Sequence, residues 1–465
     1  MTRGFMNESA TKVRFSVWLG RSLLAIALGI FFIVSLTQAH LSTDTDSQQA
    51  AALNHRGVEH LQKKEYDQAA ALFRESLKHQ PEAPEVLDNL GKALDGAGRD
   101  DEAVDESDKA IKLAPENAAI HCDRGLALFH EKKFDESAAS YRKAIEIHPD
   151  FREAQNGLGA ALLSLGKTDE AIAAFRKAVQ SGPANVDALN NLGSALLSQG
   201  KATEALPYLQ TAHKIRPDLP DVLENYAHAL QEAGQTNEAI AAYHKLASKH
   251  PKEPGPWTNL GHLYYTSKKY HKAVEAFGKS LALKSDQPDV LLSMGLAQAE
   301  GGKGDEAIRS FEQCLTIKPN DLHALSALGA AYYRHKDYAK SSDAYQKALA
   351  QTPDDPDALL GLGASQLAAN NTVAAIATYE KLIHLRSDDP NVRFNLGTAL
   401  FNTGKFQEAA ASYREAIRLK PDMAHAHYNL GMCLLRLQDS NAAKTEFAEA
   451  HRLDSTLSPP VGNEK

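Results

Sequence analysis

Apolar side chains along this chain return at helical spacing, and the pattern restarts every 34 residues. With each repeat numbered from residue 50 onward, apolar residues fall at positions 4, 7, 8 and 11, then at 20, 24, 27 and 28. An α-helix turns about 100° per residue, so each set shares one helix face and each repeat predicts two amphipathic helices joined by a turn. Position 8 is glycine in Gly57, Gly91, Gly125, Gly159, Gly193, Gly261, Gly295, Gly329, Gly363, Gly397 and Gly431, and alanine in Ala227; position 20 is alanine except at Ser137 and Ser341. Small residues there let the two helices approach closely, and aromatic residues at position 24, such as Phe73, Tyr141, Phe175, Phe277, Tyr379 and Tyr413, fill the space between neighbours.

Helix boundaries follow the same register. Prolines at position 32 (Pro81, Pro115, Pro149, Pro183, Pro217, Pro251, Pro319, Pro353, Pro421) mark the beat, with Ser285, Ser387 and Ser455 in the gaps. Gly98, Gly166, Gly200, Gly234, Gly302 and Gly404 at position 15 are placed to end the first helix, and Asp67, Asp101, Asp135, Asp169 and Asp305 at position 18 to cap the second. Pro84, Pro220, Pro254, Pro288, Pro356 and Pro390 open first helices, where a missing N–H costs little. Twelve repeats therefore run from residue 50 to 457 without an insertion, replacing the three globular domains that the length of 465 residues suggests.

The residues carrying this register, among them Trp257, Leu260, Gly261, Tyr264, Ala273, Phe277 and Pro319, resemble the tetratricopeptide repeat over about nine tenths of the chain. The resemblance implies an all-α, right-handed superhelical solenoid of twelve 34-residue helix-turn-helix repeats. Lys444 and His451 stand where other repeats place apolar residues, as a terminal repeat requires, and Pro459-Pro460 preclude a further helix. Pro207, His213, Arg393 and His427 depart from the pattern and are expected to disturb it only locally.

In this family the first-helix stripe through positions 2, 6, 9 and 13, with 5 and 12 at its margin, lines a concave groove. Position 6 is asparagine in Asn89, Asn191, Asn225, Asn259, Asn395 and Asn429. An amide donates twice and accepts once, so a row of amides suits the backbone of an extended peptide, although asparagine also sits at solvated helix surfaces for no such reason. The pattern resembles the asparagine ladder in the repeat region of O-linked N-acetylglucosamine transferases, without any counterpart of their catalytic domain. Around Asn191, Asn225 and Asn259 the stripe adds Asp187, Asp221, Glu224, His228, Gln231, His262 and Tyr265, while Leu296, Tyr333, Leu367, Phe401, Met432 and Leu435 make it more apolar further on. Asp187 and Asp221 also favour the dipole of their own helix first turns. The lysine that a carboxylate-gripping chaperone-tail clamp needs at position 5 is missing, which argues against that partner class.

Composition narrows the function. A net charge of −8 excludes a nucleic-acid footprint, and Cys122, Cys314 and Cys433 are too dispersed for a disulfide framework or clustered metal site. Residues 1–39 carry Arg3, Lys12, Arg14 and Arg21, then the apolar run Ser22 to Leu36 and the small-residue pair Thr37 and Ala39. That is either a signal peptide removed after Ala39 or an N-terminal membrane anchor; both place the repeats outside the cytoplasm, periplasmic or extracellular. Residues 40–49 read as a linker and 458–465 as a disordered tail.

Enzyme-like motifs are accidents of the repeat. Ser140-x-x-Lys143, Ser164-x-x-Lys167 and Ser198-x-x-Lys201 straddle turns or lie within a helix, and Gly166-Lys167-Thr168 lacks the first glycine of a phosphate loop. His425 with His427, and His228 with His262, have no metal-ligand geometry. The sequence therefore predicts an exported, non-catalytic scaffold without cofactor or metal, holding an extended peptide or partner protein in its groove and touching membrane only through residues 1–39. The alternative is a structural adaptor of a cell-envelope assembly that uses its convex face or its ends. An enzyme with an unrecognised site is less favoured, since no non-repeat domain is present.

Overall fold

The computed structural model describes residues 45–386 and 388–460. The leader with its two alternatives, the first residues of the linker, Ser387 and the end of the tail lie outside them. Among the described residues the chain is an all-α solenoid of about twelve repeats, with twenty-four helices and no strand. The chain divides into two compact units, residues 1–246 and 247–465. The first helix, Thr45–Gln62, starts inside the segment read as linker. Every second helix is 14 residues long, from Tyr66–His79 to Ser440–Leu453.

Within each repeat the core forms where position 8 meets position 24. A Cβ at Gly57, Gly159 or Gly295 would lie 2.5 Å from the ring of Phe73, Phe175 or Phe311, so only glycine admits the ring. Each ring is almost wholly buried, which stabilises the fold by about 2–3 kcal/mol apiece. Position 20 closes the same contact from the facing helix: Ala69, Ala171, Ala273 and Ala375 have no exposed surface. Ser137 and Ser341, the two exceptions, donate to the carbonyls of Gly125 and Gly329 at 2.6 and 2.7 Å. The hydroxyl thus finds a partner on the very residue that small size was chosen to approach.

Every first helix ends alike. Position 15 has positive φ in all twelve repeats: the six expected glycines, and also Lys64, Lys132, Lys268, Lys336, Asn370 and Gln438. The following N–H reaches back five residues in each case, for example Lys133 N to Leu128 O at 2.9 Å and Asp439 N to Leu434 O at 2.9 Å. That is the Schellman closure, which satisfies a carbonyl the helix end leaves open. The expected aspartate caps are displaced by two positions. Asp67, Asp101, Asp135, Asp169 and Asp305 lie inside the first turn of the second helix, where they favour its dipole without capping it. The cap residue is position 16, where Asp337 and Asp439 accept from the N–H groups of Lys340 and Ala442.

The irregular residues fit the register. The helix Ala202–Ile215 runs unbroken through Pro207. His427 is buried, with Nδ1 2.6 Å from Glu446 Oε2 and Nε2 3.1 Å from the carbonyl of Pro421. His121 and Gln155, also at position 4, approach the carbonyls of Pro115 and Pro149 at 2.8 and 2.6 Å. A polar residue at position 4 thus serves the proline carbonyl that ends the preceding repeat.

Candidate functional site

The first-helix stripe has different chemistry in the two units. In the N-terminal unit the asparagines are half-buried and paired between neighbouring repeats. Asn89 Nδ2 donates to Asn54 Oδ1 at 3.2 Å, Asn191 to Asn156 at 3.1 Å and Asn225 to Asn190 at 3.0 Å. The spacing is 35 residues each time, joining position 6 to position 5 of the preceding repeat. These amides therefore do not simply face solvent: they link successive first helices into a row, and Asn156 is only 2% exposed. Further along the row, Gln231 donates weakly to Glu232 at 3.4 Å and His228 Nε2 lies 3.8 Å from the same carboxylate.

One step of this row is ionic. Asp88 and Asp123 occupy the same two positions, and Lys92 bridges them, its Nζ 2.5 Å from Asp88 Oδ2 and 3.1 Å from Asp123 Oδ2. Burial, then the charge of Asp88, raises the Asp123 carboxyl to about 7 against the opposing pull of Lys92. Against burial, the charges of Asp123 and Asp88 raise the pKa of Lys92 and keep it protonated. Asp88 is 7% exposed, and its Oδ1 has no hydrogen-bond partner. The sequence reading missed this trio because it tracked one position at a spacing of 34; polar pairs 35 apart are the signal that finds it. A second cluster, Asp95, Asp100 and His130, brings ligating atoms within 4.8 Å of one another, with His130 Nδ1 2.7 Å from Asp95 Oδ1.

In the C-terminal unit the stripe carries more aromatic pairs at positions 12 and 17, where the N-terminal unit has Phe129 with Phe134 at 5.4 Å. Tyr265 packs against Tyr270 at 5.8 Å between ring centroids, Tyr333 against Tyr338 at 5.4 Å and Phe401 against Phe406 at 5.3 Å, each pair clasping the turn between the helices of one repeat. Asn395 and Asn429 reach toward the hydroxyls of Tyr379 and Tyr413, the position-24 rings of the preceding repeats, partly opposing the upward shift that burial gives each phenol. Tyr413 also donates to Thr398 at 3.1 Å. Asn259 is half-buried on the helix Gly255–Thr266. His262 presents an edge to solvent, its ring meeting Phe277 at 5.1 Å, and desolvation there lowers its pKa. Of the contiguous asparagines, Asn191 and Asn225 belong to the N-terminal unit and Asn259 to the C-terminal unit; His228 and His262 divide likewise.

Among the described residues no helix is long and apolar enough to cross a membrane. No curated protein matches the chain. Among solved structures, one titled YrrB, a tetratricopeptide repeat protein with an unusual peptide-binding site, is 25% identical, the match spanning 40% of this chain and 95% of that one at a TM-score of 0.38. The Cut9-Hcn1 hetero-tetramer of APC/C is 16% identical over 93% of this chain and 96% of that one, also at 0.38. MamA from Desulfovibrio magneticus RS-1 is 21% identical over 36% and 96%, at 0.35. The family description of the cytochrome c-type biogenesis protein H repeat domain matches residues 247–356. Tetratricopeptide-repeat descriptions match residues 196–263 and also 54–118, 89–151, 122–186, 156–220, 326–390 and 394–456. With that coverage and a shared helix-pair register, the chain belongs to the tetratricopeptide repeat family.

Proposed function

We propose that this protein, a protein-interaction scaffold by its family, is non-catalytic and grips an extended peptide or an unfolded stretch of a partner along the first-helix stripe. The observation that carries the reading is the amide row of the N-terminal unit: Asn191 and Asn225 are held in place by hydrogen bonds to Asn156 and Asn190, so their positions repeat at one-repeat intervals before any ligand arrives. Preorganised donors and acceptors reduce the ordering cost of binding a flexible chain. His228 and Gln231 of the same unit supply further contacts at positions 9 and 12. We further propose that the protein works outside the cytoplasm, delivered by its first 39 residues. Protease protection in intact cells, with the intact mass of the product, tests this; a soluble full-length cytoplasmic product would refute it.

A second reading, an adaptor that docks by its outer surface, draws on Leu113, Ile215, Leu283, Ile317 and Leu385. These exposed apolar residues all stand at position 30, near the end of the second helix. Photoreactive residues placed in cells at His228 and Gln231, and separately at Ile215 and Ile317, decide between the two. The groove reading requires a common partner captured from the first pair and a synthetic segment of that partner that competes for the site. Capture only from the position-30 sites establishes the adaptor instead.

A further inference from the structure

The ionic step of the amide row stands out because, once Asp123 is ionised, its charges do not balance. Asp88 and Asp123 bring two carboxylates to one place and Lys92 brings one ammonium, whereas the corresponding steps Asn54–Asn89, Asn156–Asn191 and Asn190–Asn225 are neutral. The imbalance is not relieved nearby on the same helix: Asp95 follows two turns after Asp88 and is engaged by His130. Arg124, adjacent to Asp123 in sequence, is turned away to Asp108 and Ser140 at 2.6 and 2.7 Å. Asp88 is nine-tenths buried, and its Oδ1 has no donor. A buried carboxylate oxygen without a partner is costly, so its persistence calls for an occupant. Access lies through the other two members, since the side chains of Lys92 and Asp123 keep 23% and 27% of their surface exposed.

We infer that repeats two and three carry a guanidinium subsite, in which an arginine side chain of the bound segment takes the place of the Lys92 ammonium between Asp88 and Asp123. This inference rests on the groove reading above and adds which side chain the groove selects. The chemistry favours guanidinium over ammonium. An ammonium is a point charge that satisfies one oxygen of each carboxylate here, while a planar guanidinium presents five N–H donors in a fork and serves both carboxylates, Asp88 Oδ1 included. Lys92 acts as the placeholder in the unliganded protein; its four-carbon stem lets the ammonium swing to solvent when arginine enters. Because the flanking steps of the row are neutral, one arginine fixes the register of an otherwise unspecified extended segment.

The test uses the full chain and two fluorescein-labelled dodecapeptides of glycine, serine and asparagine. They are identical except for a central arginine in one and its neutral isostere citrulline in the other, and binding is followed by anisotropy at pH 7.5. The arginine peptide should bind about tenfold more tightly, as expected for one charge-assisted contact. Asp123→Asn should bring its affinity down to that of the citrulline peptide, whose own binding stays unchanged. Lys92→Met, which vacates the cation position, should raise affinity for the arginine peptide several-fold and leave the citrulline peptide alone; a merely structural Lys92 predicts a fall for both. Equal binding of the two peptides overturns the subsite and leaves the groove standing. An arginine preference that survives Asp123→Asn places the cation elsewhere and also overturns it. Binding of neither peptide, by wild type or by Lys92→Met, sinks the groove reading together with the subsite.

Discussion

The two units share a register and differ in the contacts their first helices make. In residues 1–246 the first helices are tied by amide pairs and one carboxylate–ammonium–carboxylate bridge. In residues 247–465 they carry three aromatic pairs within repeats at positions 12 and 17, against one in the other unit, Phe129 with Phe134, and Asn395 and Asn429 turn toward tyrosine hydroxyls. Position 24 accounts for part of the switch. Asn89, Asn191 and Asn225 follow repeats whose position-24 residue is Phe73, Phe175 or Leu209, with no hydroxyl to offer, and they pair with an amide instead. Where Tyr379 or Tyr413 stands there, Asn395 or Asn429 lies beside the hydroxyl; after Tyr141 and Tyr345 position 6 is glycine, and a Cβ at Gly157 or Gly361 would strike the ring. Fold and groove chemistry are thus set by different positions, and one can vary while the other is kept.

The largest effect should come from the shared part. Replacing Gly159 or Gly295 by Ala drives a Cβ to 2.5 Å from Phe175 or Phe311, an overpacking that costs about 3 kcal/mol in either unit. Hydrogen exchange should rise around the altered repeat and its neighbours, because solenoid stability is a sum of local terms. Gly91→Ala is the control: its Cβ meets Ser107 Oγ at 3.2 Å and Ala103 O at 3.3 Å rather than a ring, and should cost less. If one unit tolerated its glycine replacement, the common register would not be what holds both.

Acidity should separate the units next. In the N-terminal unit Asp100, Asp123 and Asp187 are raised chiefly by burial, and His130 chiefly by its hydrogen bond with Asp95. A raised acid binds its proton more tightly folded than unfolded, so its contribution is present below about pH 4 and is lost as pH rises through the folded value, about 7 for Asp123. His130 acts in the same direction, its contribution fading as pH rises past its ordinary range. The C-terminal unit responds in the opposite sense. Asp321 and Asp337 are lowered by their lysine and backbone partners, so they stabilise above about pH 4, and the lowered His262 opposes folding once acid protonates it. Between pH 5.5 and 7.5, protection in the helices Pro84–Gly96 and Ala118–His130, corrected for intrinsic exchange, should fall by about 1–2 kcal/mol, while that in Leu322–Arg334 holds or rises. Lys92→Met should deepen the alkaline loss, since it leaves Asp88 and Asp123 facing each other.

A smaller effect tests the amide row itself. Asn191→Ala removes the donor to Asn156, whose own Nδ2 already lacks a partner, and should destabilise the N-terminal unit by about 1–1.5 kcal/mol. Asn395→Ala in the C-terminal unit should cost about half as much on the scale of a neutral hydrogen bond, because it loses only an approach to the Tyr379 hydroxyl. Chemical denaturation followed by exchange in each unit measures both. Equal losses would mean that the two kinds of link are energetically the same.

Much of this was legible before any coordinates. The helix pairs, the glycine-to-ring contact and the left-handed glycines follow from single positions repeated at 34, a signal strong enough to survive exceptions such as Pro207 and His427. The groove was legible in place but not in chemistry. Asparagine at position 6 marked the stripe, yet its partner lies at position 5 of the preceding repeat, and no reading of one position at a time pairs Asn191 with Asn156 or Asp88 with Asp123. The aspartate at position 18 misled for a related reason: carboxylates are favoured both as caps and in the first turn, and only the helix start distinguishes the two roles.

The smallest effect concerns the helix ends that both units share. Lys64 and Lys132 in the N-terminal unit, and Lys268 and Lys336 in the C-terminal unit, adopt φ of 64°, 64°, 58° and 62°, in the left-handed region where a Cβ is strained. They endure because the Schellman bonds around them fix the turn: Lys132 N bonds Phe129 O at 3.0 Å, and Lys133 N bonds Leu128 O at 2.9 Å. Glycine at the same position relieves the strain but enlarges the freedom of the unfolded chain, so the two terms partly cancel. Relief should win by about 0.5–1 kcal/mol, and Lys132→Gly and Lys336→Gly should stabilise their units equally. The reciprocal change, Gly98→Ala, meets no atom within 4 Å and should cost about 1 kcal/mol from backbone strain alone. Thermal melts of the three variants, with local exchange to assign each shift to its unit, check the reading. A gain confined to one unit would show that its turns are held by something beyond the bonds common to all twelve repeats, and the difference between the units would then extend into the fold as well as the groove.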